Sequence, residues 1–238
     1  MKTSIARQCC SAVLLCSVLL AACAPETALQ KVAQSVEAPA VFPASYYQQR
    51  EAQGAKILRI DAKRSLLVLE VRRAGVFARL GHDHVVASHD LEGYVAPDEG
   101  RADISVRLAQ LVIDEADLRA QAGFLTQPTA DDIAGTRRNM LTRVLDSDRY
   151  PTALIHIARK NAEPLLSVAI TLHGVTRSFE IPAVVEDIAG GMRVSGKMSF
   201  NQSDFGIVPF SILNGAIQVQ DRLDLRFRIV ADRVVKQF

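Results

Sequence analysis

Two histidines separated by one residue, His82 and His84, are the side chains of this sequence best spaced for chemistry. On an extended strand they share one face with Asp83 opposite, and His-x-His is a frequent metal-binding spacing. His89 lies close enough in sequence to return as a third ligand. Such a set would make the protein a metal carrier or a metal-dependent enzyme. Against it, no cysteine and no His-Glu-x-x-His pattern accompanies the pair, and His156 and His173 are far away in sequence. The competing readings are a structural histidine pair or a polar contact to a ligand, since an imidazole donates or accepts according to its tautomer. Ser203-Asp204 and Ser211 have no histidine nearby in sequence, although a triad is set in space. Gly190-Gly191 reads as a hairpin turn and not as a phosphate loop.

The four cysteines all fall within the first 23 residues. Lys2 and Arg7 precede an apolar run from Cys9 to Ala22, and small residues end it, which is the pattern of a signal peptide over residues 1–22. The run is shorter than the roughly 18 apolar residues that span a bilayer. Leu20-Ala21-Ala22-Cys23 resembles the bacterial lipobox, which implies that Cys23 becomes the acylated first residue and anchors the chain to a membrane. The alternative is an ordinary secretory signal cut after Ala22 or Ala24. Because Ala24 and not an acidic residue follows Cys23, that resemblance favours the periplasmic side of the outer membrane over the inner. Removing Cys9, Cys10 and Cys16 with the signal leaves no thiol beyond Cys23, which excludes disulfides within the domain, Cys-ligated zinc and cysteine catalysis. Removing Lys2 and Arg7 as well turns 28 basic against 26 acidic residues into 26 against 26. A neutral domain gives no reason to expect nucleic acid as a partner.

Those side chains need elements to position them. Residues 23–55 read as a flexible tether rich in Ala, Gln, Glu, Ser and Pro, with a short helix around Glu26 to Val36 and a Tyr46-Tyr47 pair able to pack on the domain. From residue 56 the pattern becomes short runs of alternating apolar and polar residues, the mark of an antiparallel sheet with one wet face. It is clearest where Leu223, Leu225, Phe227 and Ile229 interleave with Arg222, Asp224, Arg226 and Arg228. Further strands are expected at 65–71, 102–108, 153–159, 165–172, 177–185 and 192–200, with turns at 97–100, 161–164, 173–174 and 189–191. Strands this numerous predict a sandwich or a closed barrel. Helix is expected at 114–124 and, after a Thr129 cap, at 131–145, lying over one end of the barrel. Arg137, Arg138 and Arg143 charge its face, either as solvated surface or as a contact to anionic lipid head groups.

Four motifs in order, Gly81-His-Asp-His84 with Asp90-Leu-Glu-Gly93, Tyr150-Pro151-Thr-Ala-Leu-Ile155, Ile170-Thr-Leu-His-Gly-Val-Thr176 and Asn201-Gln-Ser-Asp-Phe-Gly-Ile207, resemble the YceI-like family of periplasmic polyisoprenoid-binding proteins. The resemblance covers essentially residues 57–234. It implies a mainly β fold, a lipocalin-like antiparallel β-barrel with a short helical segment between strands, forming one domain over residues 56–238. It further implies a lumen that holds the isoprenoid tail of a quinone or polyprenyl lipid without performing chemistry and without another cofactor. The acyl anchor and the long tether depart from the family's simplest, soluble members. Candidate lining residues are Val194, Met198, Phe200, Leu223, Leu225, Phe227 and Ile229, with Ile155 and Ile157, and His84 as a polar contact to a quinone head group. An eight-stranded barrel can equally fill its interior with these side chains.

Overall fold

A computed structural model of the chain describes residues 41–159 and 165–233. The signal segment, Cys23, the expected helix at Glu26 to Val36 and the expected turn at 161–164 lie outside the described residues. In chain order the strands are β1 (Leu58–Ile60), β2 (Leu66–Ala74), β3 (His84–Ser88), β4 (Leu91–Ala96), β5 (Arg101–Arg107) and β6 (Val112–Ile113). They continue as β7 (Thr152–Ala158), β8 (Leu165–Leu172), β9 (Val175–Ile188), β10 (Gly191–Asn201), β11 (Ser211–Ile212) and β12 (Ile217–Arg233). The helices are α1 (Ala44–Ala52), α2 (Ala116–Gln121) and α3 (Ala130–Asn139), the last continued by a π turn over Met140–Val144.

All the pairings are antiparallel, and they close into an eight-stranded barrel. The first three barrel positions are broken strands: β1 with β2, β3 with β4, and β5 with β6. The first break shows how a kink keeps its hydrogen bonds. Asp61 caps the turn Ala62–Arg64, and the buried Ser65 hydroxyl takes the Val230 N–H at 3.0 Å and faces the Val230 carbonyl at 3.3 Å. The side chain thus stands in for the missing ladder bonds. β12 closes the ring, pairing β10 on one side and β2 then β1 on the other, with Leu225 opposite both Met198 and Leu69. Closure leaves only a short edge, the two-residue β6, which pairs with β3 alone among the described residues.

Alternation then sorts the side chains. Leu223, Leu225, Phe227 and Ile229 face the interior, and the charged residues between them lie on the outer wall. Helix α2 packs Leu118 and the nearby Phe124 on the outer face of β2 and β3, against Val68, Val85 and Ala87. Helix α3 begins at a reciprocal cap: Thr129 Oγ1 accepts the Asp132 N–H at 3.2 Å, and Asp132 Oδ2 accepts the Thr129 N–H at 2.9 Å. It lies across the end of the barrel at which β6 leads into β7, as the sequence leads one to expect.

The tether expected through residue 55 is corrected at its C-terminal part. Ala44–Ala52 is a helix docked on the wall, with Tyr47 fully buried and its ring stacked on Tyr94 at 5.1 Å. Burial of one large aromatic together with a buried polar network holds it there.

Candidate functional site: the barrel lumen

The interior is an apolar lumen in two chambers. The larger, about 420 Å³, lies at the end formed by the β4–β5 turn and the β9–β10 hairpin and is lined by Ile104, Ile157, Val194, Met198, Phe227 and Ile229, among others. Its rim carries Arg101, Arg159 and Asp187. The smaller, about 190 Å³, lies beneath α3 and is lined by His84, Val86, Ser88, Phe200, Gln202 and Leu223, with Met140 and Val144 above. Leu67, Ile155, Ile170 and Leu225 line both chambers and form a waist between them. Gly196 leaves room for the Phe227 ring, since a Cβ there would stand 2.7 Å from its Cζ. The combined space is of the size that buries most of a small amphiphile.

One polar cluster reaches this lumen. His84 Nδ1 lies 2.6 Å from Asp114 Oδ2, and Asp114 Oδ1 accepts from the Val85 N–H at 3.0 Å and from Arg119 Nη1 at 2.5 Å. Arg119 is itself buried and also donates to the Asp83 carbonyl at 2.5 Å and to the Thr126 carbonyl. Burial opposes ionisation of Asp114, but hydrogen bonds from His84, the Val85 amide and Arg119, with the charge facing it, outweigh burial and hold its pKa below the ordinary value. An ionised Asp114 fixes the proton of His84 on Nδ1, which leaves Nε2 as the ring's other hydrogen-bonding atom. Four residues on along β3, Ser88 Oγ lines the same chamber, is buried, and has no hydrogen-bond partner among the described residues. Gln202 lines it too, held by its Nε2 on the Gln220 carbonyl at 2.8 Å.

The expected lining residues fall in both chambers. Val194, Met198, Phe227, Ile229, Ile155 and Ile157 line the larger, Phe200, Leu223 and His84 the smaller, and Leu225 and Ile155 the waist. The three histidines weighed as metal ligands are not brought together. His82 and His84 stand edge to face with ring centroids 6.2 Å apart, whereas His89 pairs with Glu115 on the exposed outer wall at 2.8 Å. Among the described residues no three His, Cys, Asp or Glu side chains are grouped to hold a metal ion. Ser203 pairs with Asp221 in an exposed turn.

Sequence reasoning missed Ser88, Asp114 and Arg119, because their neighbours in the chain say nothing about a contact 29 residues away. It also missed a second buried network outside the barrel. Asp103 accepts from the Tyr47 hydroxyl at 2.6 Å and from Arg101 Nε at 3.0 Å, and lies 2.7 Å from His156 Nδ1.

Two of the family-like motifs meet at one end of the barrel. The tight His173-Gly174 turn, both residues at positive φ, packs under Tyr150, with the His173 and Tyr150 rings 4.7 Å apart. The Asn201–Ile207 motif seats Phe205, fully buried against Phe200 and Phe179, as a plug beside the smaller chamber.

A closed up-and-down antiparallel barrel with an apolar lumen reached by a buried polar cluster is the architecture of lipocalin-like barrels. The sequence model of the YceI-like domain matches residues 58–231, and the chain belongs to that family. Among solved structures, a polyisoprenoid binding domain from Saccharophagus degradans superimposes with a TM-score of 0.54 at 12% identity, covering 74% of this chain and 97% of that one. BcnA of Burkholderia cenocepacia gives 0.51 at 14% identity, over 72% and 98% of the respective chains. At such identities the likeness concerns the fold. No curated protein matches the sequence significantly.

Proposed function

We propose that the protein is a non-enzymatic binding protein for an isoprenoid or similar amphiphilic lipid, of quinone or polyprenyl type, tethered to the periplasmic face of a membrane through Cys23. The observation that carries the lipid reading is the two-chambered apolar lumen, whose smaller chamber is lined by His84 and, further along the same strand, by a buried Ser88 hydroxyl with no partner among the described residues. A buried hydroxyl without a partner carries a desolvation cost of about 1–3 kcal/mol, which a carbonyl or hydroxyl on a bound head group relieves. The apolar walls receive a prenyl tail, which needs length and dryness more than hydrogen bonds. The fold shared with the Saccharophagus degradans polyisoprenoid binding domain supports the same class of ligand.

Protein purified gently from a membrane-containing host should yield an organic-extractable amphiphile by mass spectrometry. Repeated extraction of nothing from several hosts would refute the reading. His84→Leu with Ser88→Ala should lower the content of carbonyl- or hydroxyl-bearing lipid roughly tenfold while leaving the barrel folded. The tether rests on the Leu20-Ala21-Ala22-Cys23 signal. Cys23→Ala should abolish incorporation of labelled fatty acid, and unchanged labelling would remove the anchor from the proposal.

A further inference from the structure

At the α3 end of the barrel two neighbouring loops expose apolar side chains. The β2–β3 loop, Gly75-Val-Phe-Ala-Arg-Leu-Gly81, presents Val76, Phe77 and Leu80, 83%, 44% and 64% exposed. The β10–β12 loop presents Val208, Ile212 and Leu213, 80%, 40% and 67% exposed. The loops are held side by side: the Phe77 N–H donates to the Ala216 carbonyl at 2.8 Å, and a Cβ on Gly75 would stand 2.5 Å from that same oxygen. Leu213 sits at φ 51°, where a bulky side chain is strained. The structure holds that leucine in water against its own backbone preference, which is the pattern of a functional surface.

Charge narrows what this tip meets. No charged residue lies between Asp204 and Asp221, and the β2–β3 connection has two, Arg79 and an Asp83 that faces Arg73 Nε at 3.5 Å. Arg143 lies over the Phe210 ring at 4.9 Å, and neither it nor Arg79 has a carboxylate partner among the described residues. The tip is therefore apolar, with Arg79 and Arg143 at its border and Asp83 turned back onto Arg73. The β10–β12 loop also joins it to the lumen: Ile207 is buried and lines the smaller chamber, and Val208, next in the chain, points into solvent.

We infer that these two loops are a bilayer-docking tip, which inserts Val76, Leu80, Val208 and Leu213 among the acyl chains of an anionic membrane, with Arg79 and Arg143 at the phosphates. Apolar insertion and attraction of cations to anionic lipid together set the binding strength. The inference builds on the lipid-carrying reading, because a barrel that takes an amphiphile from a membrane needs one end seated on it, and the tip adjoins a chamber.

The test uses the full chain with Cys9, Cys10, Cys16 and Cys23 replaced by Ala and a single cysteine introduced by Val208→Cys, labelled with an environment-sensitive dye. The control places the dye at Val184→Cys, exposed on the barrel wall. On addition of phosphatidylglycerol–phosphatidylethanolamine vesicles, emission at 208 should shift to the blue and be quenched by brominated acyl chains, with no change at 184. Arg79→Glu with Arg143→Glu should weaken the response roughly fivefold for each arginine. No shift at 208, or equal shifts at both sites, would overturn the inference. A shift at 208 that needs protein concentration and no vesicles would assign the tip to a second copy and overturn it equally. Lipid extraction separates this from the lumen reading: a dye that inserts on a chain yielding no lipid keeps the tip and loses the lumen.

Discussion

Asp103 and Asp114 are buried carboxylates that stay ionised for the same reason. Burial opposes the charge on Asp103, and hydrogen bonds from His156, Tyr47 and Arg101 overcome it, so its pKa lies below the ordinary 3.8. A carboxylate depressed in the folded state contributes stability above its unfolded pKa, and that contribution is lost as pH falls through the folded value. Stability measured by urea unfolding should accordingly hold from neutral pH down to the ordinary carboxylate range and then fall. Asp103→Asn keeps the shape and removes the charge that faces Arg101 and the Tyr47 hydroxyl, at a cost of about 3 kcal/mol at pH 7. The variant should also lose part of the acid-induced decline, and an unchanged pH profile would show that Asp103 is not the group responsible. None of this could be read from the strand alone. An aspartate at an outward position of an alternating run reads as solvated surface, and only the docking of Tyr47, 56 residues earlier, makes it buried.

At the scale of elements, legibility followed continuity. The long strands β8, β9, β10 and β12 were expected close to their observed places because each keeps one face in the lumen and one in water. The pieces the alternation does not show, β1, β3, β4, β6 and β11, are two to six residues each, and the first four belong to barrel positions broken by turns, so no run is long enough to show a period. β4 is further disguised by Gly93, a poor strand former. Its reason is steric: a Cβ at 93 would stand 2.5 Å from the Asp103 carbonyl oxygen and 2.6 Å from Ile60 Cδ1. Gly93→Ala should therefore destabilise the barrel by about 1–3 kcal/mol, since a backbone atom cannot move aside as a side-chain tip can. An equal urea midpoint in the variant would mean that β4 and β5 can separate at this point without loss. Helix α1 reads as tether in the sequence because its polar face dominates its composition, and its attachment depends on one tyrosine more than on a stripe.

At the scale of the whole molecule the question is whether the barrel is filled or hollow, which composition cannot decide, since the same leucines and phenylalanines serve both. The chambers decide it in favour of space, and the waist then sets how that space is used. Leu67, Ile155, Ile170 and Leu225 stand between the smaller chamber, which the polar cluster reaches, and the larger one, apolar but for Arg101, Arg159 and Asp187 at its rim, so a ligand with its head near His84 must thread its tail past them. Ile155→Trp adds an indole at that constriction. Overpacking of this kind costs about 1–3 kcal/mol, which a closed eight-stranded barrel should survive. The variant should then exclude long prenyl chains while still admitting amphiphiles short enough to stop in the smaller chamber. Mass spectrometry of extracted lipid reads this directly as a shift toward shorter tails at comparable occupancy, with far-ultraviolet circular dichroism confirming the sheet. An unchanged chain-length distribution would mean that tails do not pass the waist, and the head group would then belong at the Arg101 and Arg159 rim instead.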